Sequence, residues 1–259
     1  MREVRAKKGL GQHFLTNQDI SYNIVDALRH QGKVLEVGPG MGVLTQFLIQ
    51  RKELDLKVAE IDSESVVYLK EKYPVELKDR IIEGDFLQLD LSGEYPEGVA
   101  VIGNFPYNIS TQIFFHILEH KNKVPEIVGM LQKEVAVRLA APPTGKEYGI
   151  LSVLLQAYYD IEYLFDVTPD NFNPPPKVQS GVIRLKRNKV ESLDCDEVLM
   201  KKIIKATFNQ RRKTIRNSLS AIVPQIKTTD NRFLTLRPER LSVADFVELT
   251  NEVTKLLEN

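Results

Sequence analysis

Asn104-Phe105-Pro106-Tyr107 is the stretch of this chain best suited to chemistry on a nucleobase. An exocyclic amine on a base is a poor nucleophile, because its lone pair is delocalised into the ring. A catalyst helps by accepting both N–H hydrogens and drawing the nitrogen towards tetrahedral geometry. The Asn104 side-chain oxygen and the main-chain carbonyl at Phe105 are two such acceptors. Pro106 stiffens the turn, and Tyr107 offers a face on which a base can stack. A base reaches such a pocket only by leaving its own stack. The plain alternative is a strand-end turn with a packed aromatic.

A second constellation precedes it. Glu36-Val-Gly38-Pro-Gly40-Met-Gly42 follows an apolar run and opens a helical pattern. Glycines there permit a sharp turn and let a ligand lie against the main chain. The pattern is Gly-x-Gly-x-Gly; Val43 stands where a dinucleotide loop has its third glycine. Glu60 ends the next apolar run, where an acid meets ribose hydroxyls in a doubly wound fold. Asp85-Phe86 follows the third run: Asp85 can accept from an adenine amino group and Phe86 can pack on the ring. The set suits S-adenosylmethionine better than NAD. No pyrophosphate needs cradling, and Glu36 disfavours one. The plain readings are a tight turn and a strand-end carboxylate.

These residues must be held by strands and helices in alternation. Short apolar runs predict strands over 33–37, 57–61, 80–83, 99–103, 126–131, 161–167 and 178–185. Helices are predicted over 17–30, capped by Asn17 or Thr16, over 43–49, from Ser63 to about Lys72, from a Ser110 cap, over 133–141 and over 149–159. Such alternation implies a mostly parallel sheet covered on both faces. The last two strands lack a helix between them, which predicts an antiparallel pair. After Arg187 no strand pattern appears. Ser242 with Asp245 resembles a capping box opening a final helix. The expected organisation is therefore a catalytic domain over 1–187 and a small helical domain over 188–259.

The 259 residues carry 35 basic and 35 acidic side chains, so net charge alone points to no polyanionic partner. Distribution says more. Residues 187–259 hold 14 basic and 10 acidic residues, and Lys201 to Arg216 hold seven basic and no acidic ones. Arg2, Arg5, Lys7 and Lys8 crowd the N-terminus. A solvated helix face is one reading of the basic segment, and a phosphate-contacting surface the other. One cysteine excludes an internal disulfide and a multi-cysteine metal site. His30, His116 and His120 show no ligand spacing with it, so no metal is expected. No run approaches the ~18 apolar residues of a membrane helix, and no signal peptide is evident.

At this point the chain resembles the ribosomal RNA adenine N6-dimethyltransferases of the KsgA type. The resemblance runs through Gly11-Gln-His-Phe-Leu15, residues 35–42, Glu60, residues 84–86, Asn104-Phe-Pro-Tyr107, Phe172-Asn-Pro-Pro-Pro-Lys-Val178 and residues 208–219. It implies a class I, S-adenosylmethionine-dependent methyltransferase (Rossmann-like α/β) with a small C-terminal helical domain. The implied reaction puts two methyls on each of two adjacent adenines in the 3′-terminal hairpin loop of 16S small-subunit ribosomal RNA. By resemblance, Gln12 and His13 lie over the methionine end of the cofactor and Gly38 and Gly40 beside it. Glu60 holds the ribose, and Asp85 and Phe86 hold the adenine. Leu15, Ile61 and Asn104 complete the cofactor set. Asn104 and Phe105 take the target amine, with Tyr107 and Phe172 stacking on the base from two sides. Two positions depart: many relatives carry Asn in place of His13, and Leu or Ile in place of Phe105.

Arg211, Arg212, Lys213 and Arg216 are the expected RNA contacts. The expected partner is small-subunit ribosomal RNA or the immature 30S particle, met by a cytoplasmic monomer with no metal and no membrane contact. Two rivals stay open. One is the macrolide-resistance type acting on large-subunit RNA, against which residues 209–219 speak. The other is a ribosome-assembly factor without turnover, against which the intact Glu60, Asp85 and Asn104–Tyr107 set speaks. A DNA adenine methyltransferase usually shows Asp-Pro-Pro-Tyr and a target-recognition domain, neither of which is found.

Overall fold

The computed structural model of the chain describes residues 4–258. Two compact units divide it. One takes the chain up to Val137 together with Asp160–Arg187; the other takes Arg138–Tyr159 and the chain from Asn188 onward.

The first unit is built on a sheet: β1 Gly32–Val37, β2 Leu54–Glu60, β3 Ile81–Glu83, β4 Ala100–Asn104, β5 Glu126–Gln132, β6 Tyr159–Val167 and β7 Ser180–Arg187. Their spatial order is β3-β2-β1-β4-β5-β7-β6. β1 to β5 pair in parallel, and β7 pairs antiparallel with β5. β1, β4 and β5 are buried through most of their length, as strands covered on both faces must be. α1 Gln18–Ala27, α2 Thr45–Leu48, α3 Ser63–Lys72, α4 Leu91–Glu94 and α5 Ser110–Glu119 connect them, and α6 Lys133–Ala140 follows β5. Ile24, Leu28, Val34, Leu48, Val58, Leu69, Ile102 and Val128 belong to one core, each with no exposure. Near the N-terminus Phe14 and Leu15 form a two-residue antiparallel ladder with Asn173 and Phe172.

Register brings the strand ends together. Val37 pairs with Ala59 and Glu60 with Glu83. Gly38 N–H donates to Ala59 O at 2.9 Å, and Gly84 N–H to Glu60 O at 2.9 Å. The carboxyl ends of β1, β2, β3 and β4 therefore open into one crevice, as expected for an open parallel sheet.

The second unit is helical: α7 Ile150–Gln156, α8 Glu197–Asn209, α9 Ile215–Leu219 and α10 Val243–Glu258. Ile203, Ile204, Ile215, Leu219, Leu241 and Phe246 form its core with Tyr148 and Val153. Residues 138–159 thus belong with the helical unit, where the sequence had put them in the catalytic one. Their helical periodicity fits either unit; their apolar side chains find partners on α8 and its neighbours.

Three helix starts illustrate local causes. Asn17 caps α1, accepting from Asp19 and Ile20 N–H. Ser242 and Asp245 exchange the reciprocal bonds of a capping box before α10. The α3 cap is Asp62 rather than Ser63: its carboxylate accepts from Glu64 N–H at 3.2 Å. Ser110 does not cap α5 either, since Ile109 holds that position and the Ser110 hydroxyl donates back to Tyr107 O.

Candidate active site

One cleft at the strand ends collects most of the expected residues: Gln12, His13, Gly38, Gly40, Glu60, Ile61, Asp85, Phe86, Asn104, Phe105 and Tyr107 all line it. Leu15 and Phe172 do not. Both sit in the core, 2% and 4% exposed, and their mutual ladder keeps their side chains there. Leu15 borders only a smaller cavity beneath the glycine loop. The second stacking face expected from Phe172 is therefore not presented to the cleft in this conformation.

Gly38 and Gly40 have φ of 66° and 55°, a region in which glycine is unstrained. At Gly40 an added Cβ would lie 2.9 Å from the Phe14 ring, so the loop packs tightly on that side. Glu60 reaches back to hold it. Its Oε2 accepts from Gly40 N–H at 3.0 Å and its Oε1 from Asp62 N–H at 2.8 Å. Burial raises the Glu60 carboxyl above the ordinary carboxylate range, and the N–H groups of Asp62 and Gly40 oppose that. Each oxygen retains acceptor capacity for a hydroxyl pair.

At the next strand end, Gly84 has open space where a Cβ would stand. Asp85 accepts from Leu87 N–H at 2.9 Å, which fixes its carboxylate at the start of a short turn. Phe86 is turned inward, 3% exposed, with its ring 5.2 Å from His116 in an edge contact. Ile61 is 55% exposed at the cleft. An exposed isoleucine beside an acceptor carboxylate suits an apolar ring carrying an amino group. The carboxylates of Glu60 and Asp85 and an apolar wall thus line one cleft, and the residues fit the adenosine end of S-adenosylmethionine.

The turn after β4 is braced from below. Phe105 N–H donates to Met130 O at 2.9 Å, and the Phe105 ring is fully buried against Phe114. Its seat exists because neighbours are glycines. A Cβ at Gly129 would stand 2.4 Å from that ring, and one at Gly103 2.9 Å. Asn104 Nδ2 donates to His13 O at 3.0 Å. Only the amide nitrogen can face a carbonyl, so the orientation of this side chain is set and Oδ1 is left as a committed acceptor.

Residues 7–16 had carried only part of this picture. Lys7 pairs with Asp62 and with Glu64, the latter at 3.0 Å, and Gln12 Nε2 donates to Asp62 at 3.2 Å. Burial alone would raise the Asp62 carboxyl; the Lys7 ammonium, the Gln12 amide and Glu64 N–H hold it below its usual range. His13 Nδ1 lies 2.8 Å from Pro174 O, and its ring is 5.4 Å from Tyr107 at 31°. His13 thus buttresses Tyr107 as well as lining the cleft. Asp62 and Asn108 were missed by sequence reasoning, and Gly11 entered it only as the first residue of the stretch 11–15, with no role. Gly11 has φ of 62°, and a Cβ there would meet Asn108 Oδ1 at 2.6 Å. No local pattern announces such a distant contact.

The expected RNA contacts divide. Arg212 and Lys213 are exposed. Arg216 instead donates to the carbonyls of Ile226, Lys227 and Thr229 at 2.8–2.9 Å. Arg211 donates to Gly145 O at 3.2 Å and faces Glu239 at 3.8 Å. Arg216 is thus a brace of the helical unit, and Arg211 partly one. Among the described residues no group of three or more His, Cys, Asp or Glu side chains is placed to hold a metal.

A profile of the family described as "Ribosomal RNA adenine dimethylase" matches residues 3–258. The chain belongs to that family. Its reaction is accordingly methylation of adenine in ribosomal RNA, and its fold is that of the class I S-adenosylmethionine-dependent methyltransferases. A Cytophaga hutchinsonii protein named ribosomal RNA small subunit methyltransferase A is 56% identical, over 97% of this chain and 98% of its own. A Bacteroides thetaiotaomicron protein of the same name is 52% identical, over 99% and 97%. In fold the chain is similar to a dimethyladenosine transferase from Plasmodium falciparum, with a TM-score of 0.79 at 23% identity over 94% of this chain and 98% of that one. It is also similar to the 23S rRNA methyltransferase ErmE, with a TM-score of 0.68 at 23% identity over 92% and 99%.

Proposed function

We propose that this family member dimethylates N6 of two adjacent adenines in the 3′-terminal hairpin loop of 16S small-subunit ribosomal RNA, acting as a cytoplasmic monomer on the immature 30S particle. The observation that carries the reading is the orientation of Asn104. With Nδ2 held by the His13 carbonyl, Oδ1 is fixed as an acceptor for an exocyclic amine. The Phe105 carbonyl supplies the second acceptor on a turn that the buried Phe105 ring locks in place.

S-adenosylmethionine supplies an electrophilic sulfonium methyl when bound. Glu60 holds its ribose hydroxyls, Asp85 its adenine amino group, and Gln12 and the backbone at Gly38 and Gly40 face its methionine end. Asn104 and Phe105 draw the N6 hydrogens towards themselves and localise the nitrogen lone pair. Tyr107 supports the base by stacking. Positioning carries most of the acceleration. The alkylated nitrogen is acidic enough to lose its proton without a strong base. The second methyl needs the pocket to admit a singly methylated amine, rotated so that its remaining hydrogen faces an acceptor.

Small-subunit RNA is favoured over large-subunit RNA by the names of the relatives at 52–56% identity and by residues 208–219. Purified protein, S-adenosylmethionine and immature small-subunit particles test the reading. Methyl label in dimethyladenosine of the small-subunit RNA is expected. Label confined to large-subunit RNA, or none, overturns it.

A further inference from the structure

Ser180 opens β7 and has no exposed surface. A hydroxyl so buried costs stability unless it is hydrogen-bonded. Its oxygen lies within hydrogen-bonding distance of the Tyr107 hydroxyl. The two residues come from separated parts of the sheet. Tyr107 stands on the turn after β4, and Ser180 at the start of β7, with β5 between them.

Ser180 is a fixed point. It pairs with Gln132 in the antiparallel β5–β7 ladder. The preceding residue, Gln179, is clamped by Lys133: Lys133 N–H donates to Gln179 O at 2.9 Å, and Nζ to Gln179 Oε1 at 3.0 Å. Lys133 is paired with Asp166, which also takes the Tyr163 hydroxyl. Gly181 leaves room for that tyrosine, since a Cβ there would stand 2.6 Å from its oxygen.

Tyr107, by contrast, is on a turn, and a tyrosine ring turns about two torsions. His13 covers one side of it, too close for a third ring to enter between them. A base stacking on Tyr107 must therefore use the side away from His13. The plane of this face is set only when the far end of the ring is held. The Tyr107 phenol is protonated at neutral pH, and burial raises it further, so it is a neutral hydrogen-bonding partner.

We propose that Ser180 is a positioning residue for methyl transfer: its hydroxyl fixes the plane of Tyr107, so that the base stacked there presents its amine to Asn104. The proposal rests on the reading that Tyr107 receives the target base. It concerns a residue that touches neither cofactor nor base.

The test is a double-mutant cycle with Ser180→Ala and Tyr107→Phe, each of which removes one hydroxyl and leaves an aromatic ring at position 107. Single-turnover methyl transfer to small-subunit particles is measured at saturating RNA and S-adenosylmethionine, with melting temperatures and both ligand affinities in parallel. Each single variant is expected to slow transfer about tenfold, the scale of one hydrogen bond, with half-saturating concentrations nearly unchanged. The double variant should be no slower than either single one. A Ser180→Ala enzyme at parental rate, singles that multiply in the double, or a loss of rate matched by lost cofactor affinity or a large fall in melting temperature overturns the proposal. A parental enzyme that transfers no methyl to the particles overturns the functional reading itself, which separates the two failures.

Discussion

Glu60 does two jobs at once, and its substitution has a readable signature. Its carboxylate ties Gly40 and Asp62 N–H groups together and faces the cleft. Glu60→Ala is expected to weaken S-adenosylmethionine binding by roughly 1.5–3 kcal/mol, the range for hydrogen bonds to a charged group. RNA binding should survive. Calorimetry with unchanged cofactor affinity would refute the ribose assignment. Asn104→Ala removes the acceptor proposed to act on the amine at the transition state. Both ligands should still bind while single-turnover methylation nearly vanishes, and a near-parental rate would refute the role. The placement of both residues at the cleft was legible in the sequence, because polar side chains at strand ends have few destinations. Leu15 and Phe172 were not. An apolar side chain near a site serves the site or the core equally well by type, and only the ladder between residues 14–15 and 172–173 decides for the core. Ser180 was illegible for a related reason: its partner lies 73 residues away.

At the scale of elements, the turn after β4 depends on two glycines beneath it. Gly129→Ala drives a methyl into the Phe105 ring, and overpacking of this kind costs about 1–3 kcal/mol. Chemical unfolding should show that loss. Phe105→Leu, which shortens the side chain, should recover part of it in the double variant; no recovery would place the strain elsewhere. The basic segment after α8 makes the complementary point. Charge alone could not separate bracing residues from exposed ones, and the structure does: Arg216 is tied to carbonyls, while Arg212 and Lys213 are exposed. Arg216→Gln loses three carbonyl contacts and should lower the melting temperature. Arg212→Gln with Lys213→Gln should melt like the parent but bind small-subunit particles more weakly. The slope of log affinity against log salt should flatten by roughly 0.7–0.9 per lost phosphate contact. An unchanged slope would withdraw the docking role. Helix starts followed the same logic. The Ser242–Asp245 box was readable locally, whereas Asp62 displaced Ser63 as a cap while also drawing in Lys7 and Gln12.

For the whole molecule, alternation of apolar runs was enough to specify a parallel sheet with an antiparallel β7, because period and turn chemistry agree along residues 32–187. The assignment of residues 138–159 was not readable, since a helical pattern does not say which core it joins. Buried titratable groups tie global stability to pH, Glu36 foremost. Glu36 is fully buried, accepts from the Thr45 hydroxyl at 2.6 Å, and is raised by burial to about 8. A carboxyl that holds its proton more tightly when folded stabilises the fold fully below its unfolded value of 4.5, and that contribution is lost as pH rises through about 8. Glu60 has the same sign, while His30 and His116, lowered first of all by burial, act in the opposite sense. Glu36→Gln isolates the effect: between pH 5 and 8 urea unfolding of the parent should lose stability relative to the variant. Parallel pH profiles would contradict it.

Mass spectrometry of ribosomal RNA from cells in which the gene has been deleted shows whether this chain methylates small-subunit ribosomal RNA. A pair of adjacent N6,N6-dimethyladenosines near the 3′ end of the small-subunit RNA should be lost, with large-subunit modifications unchanged. An intact pair in the small subunit, or a dimethyladenosine missing from the large subunit instead, would contradict it.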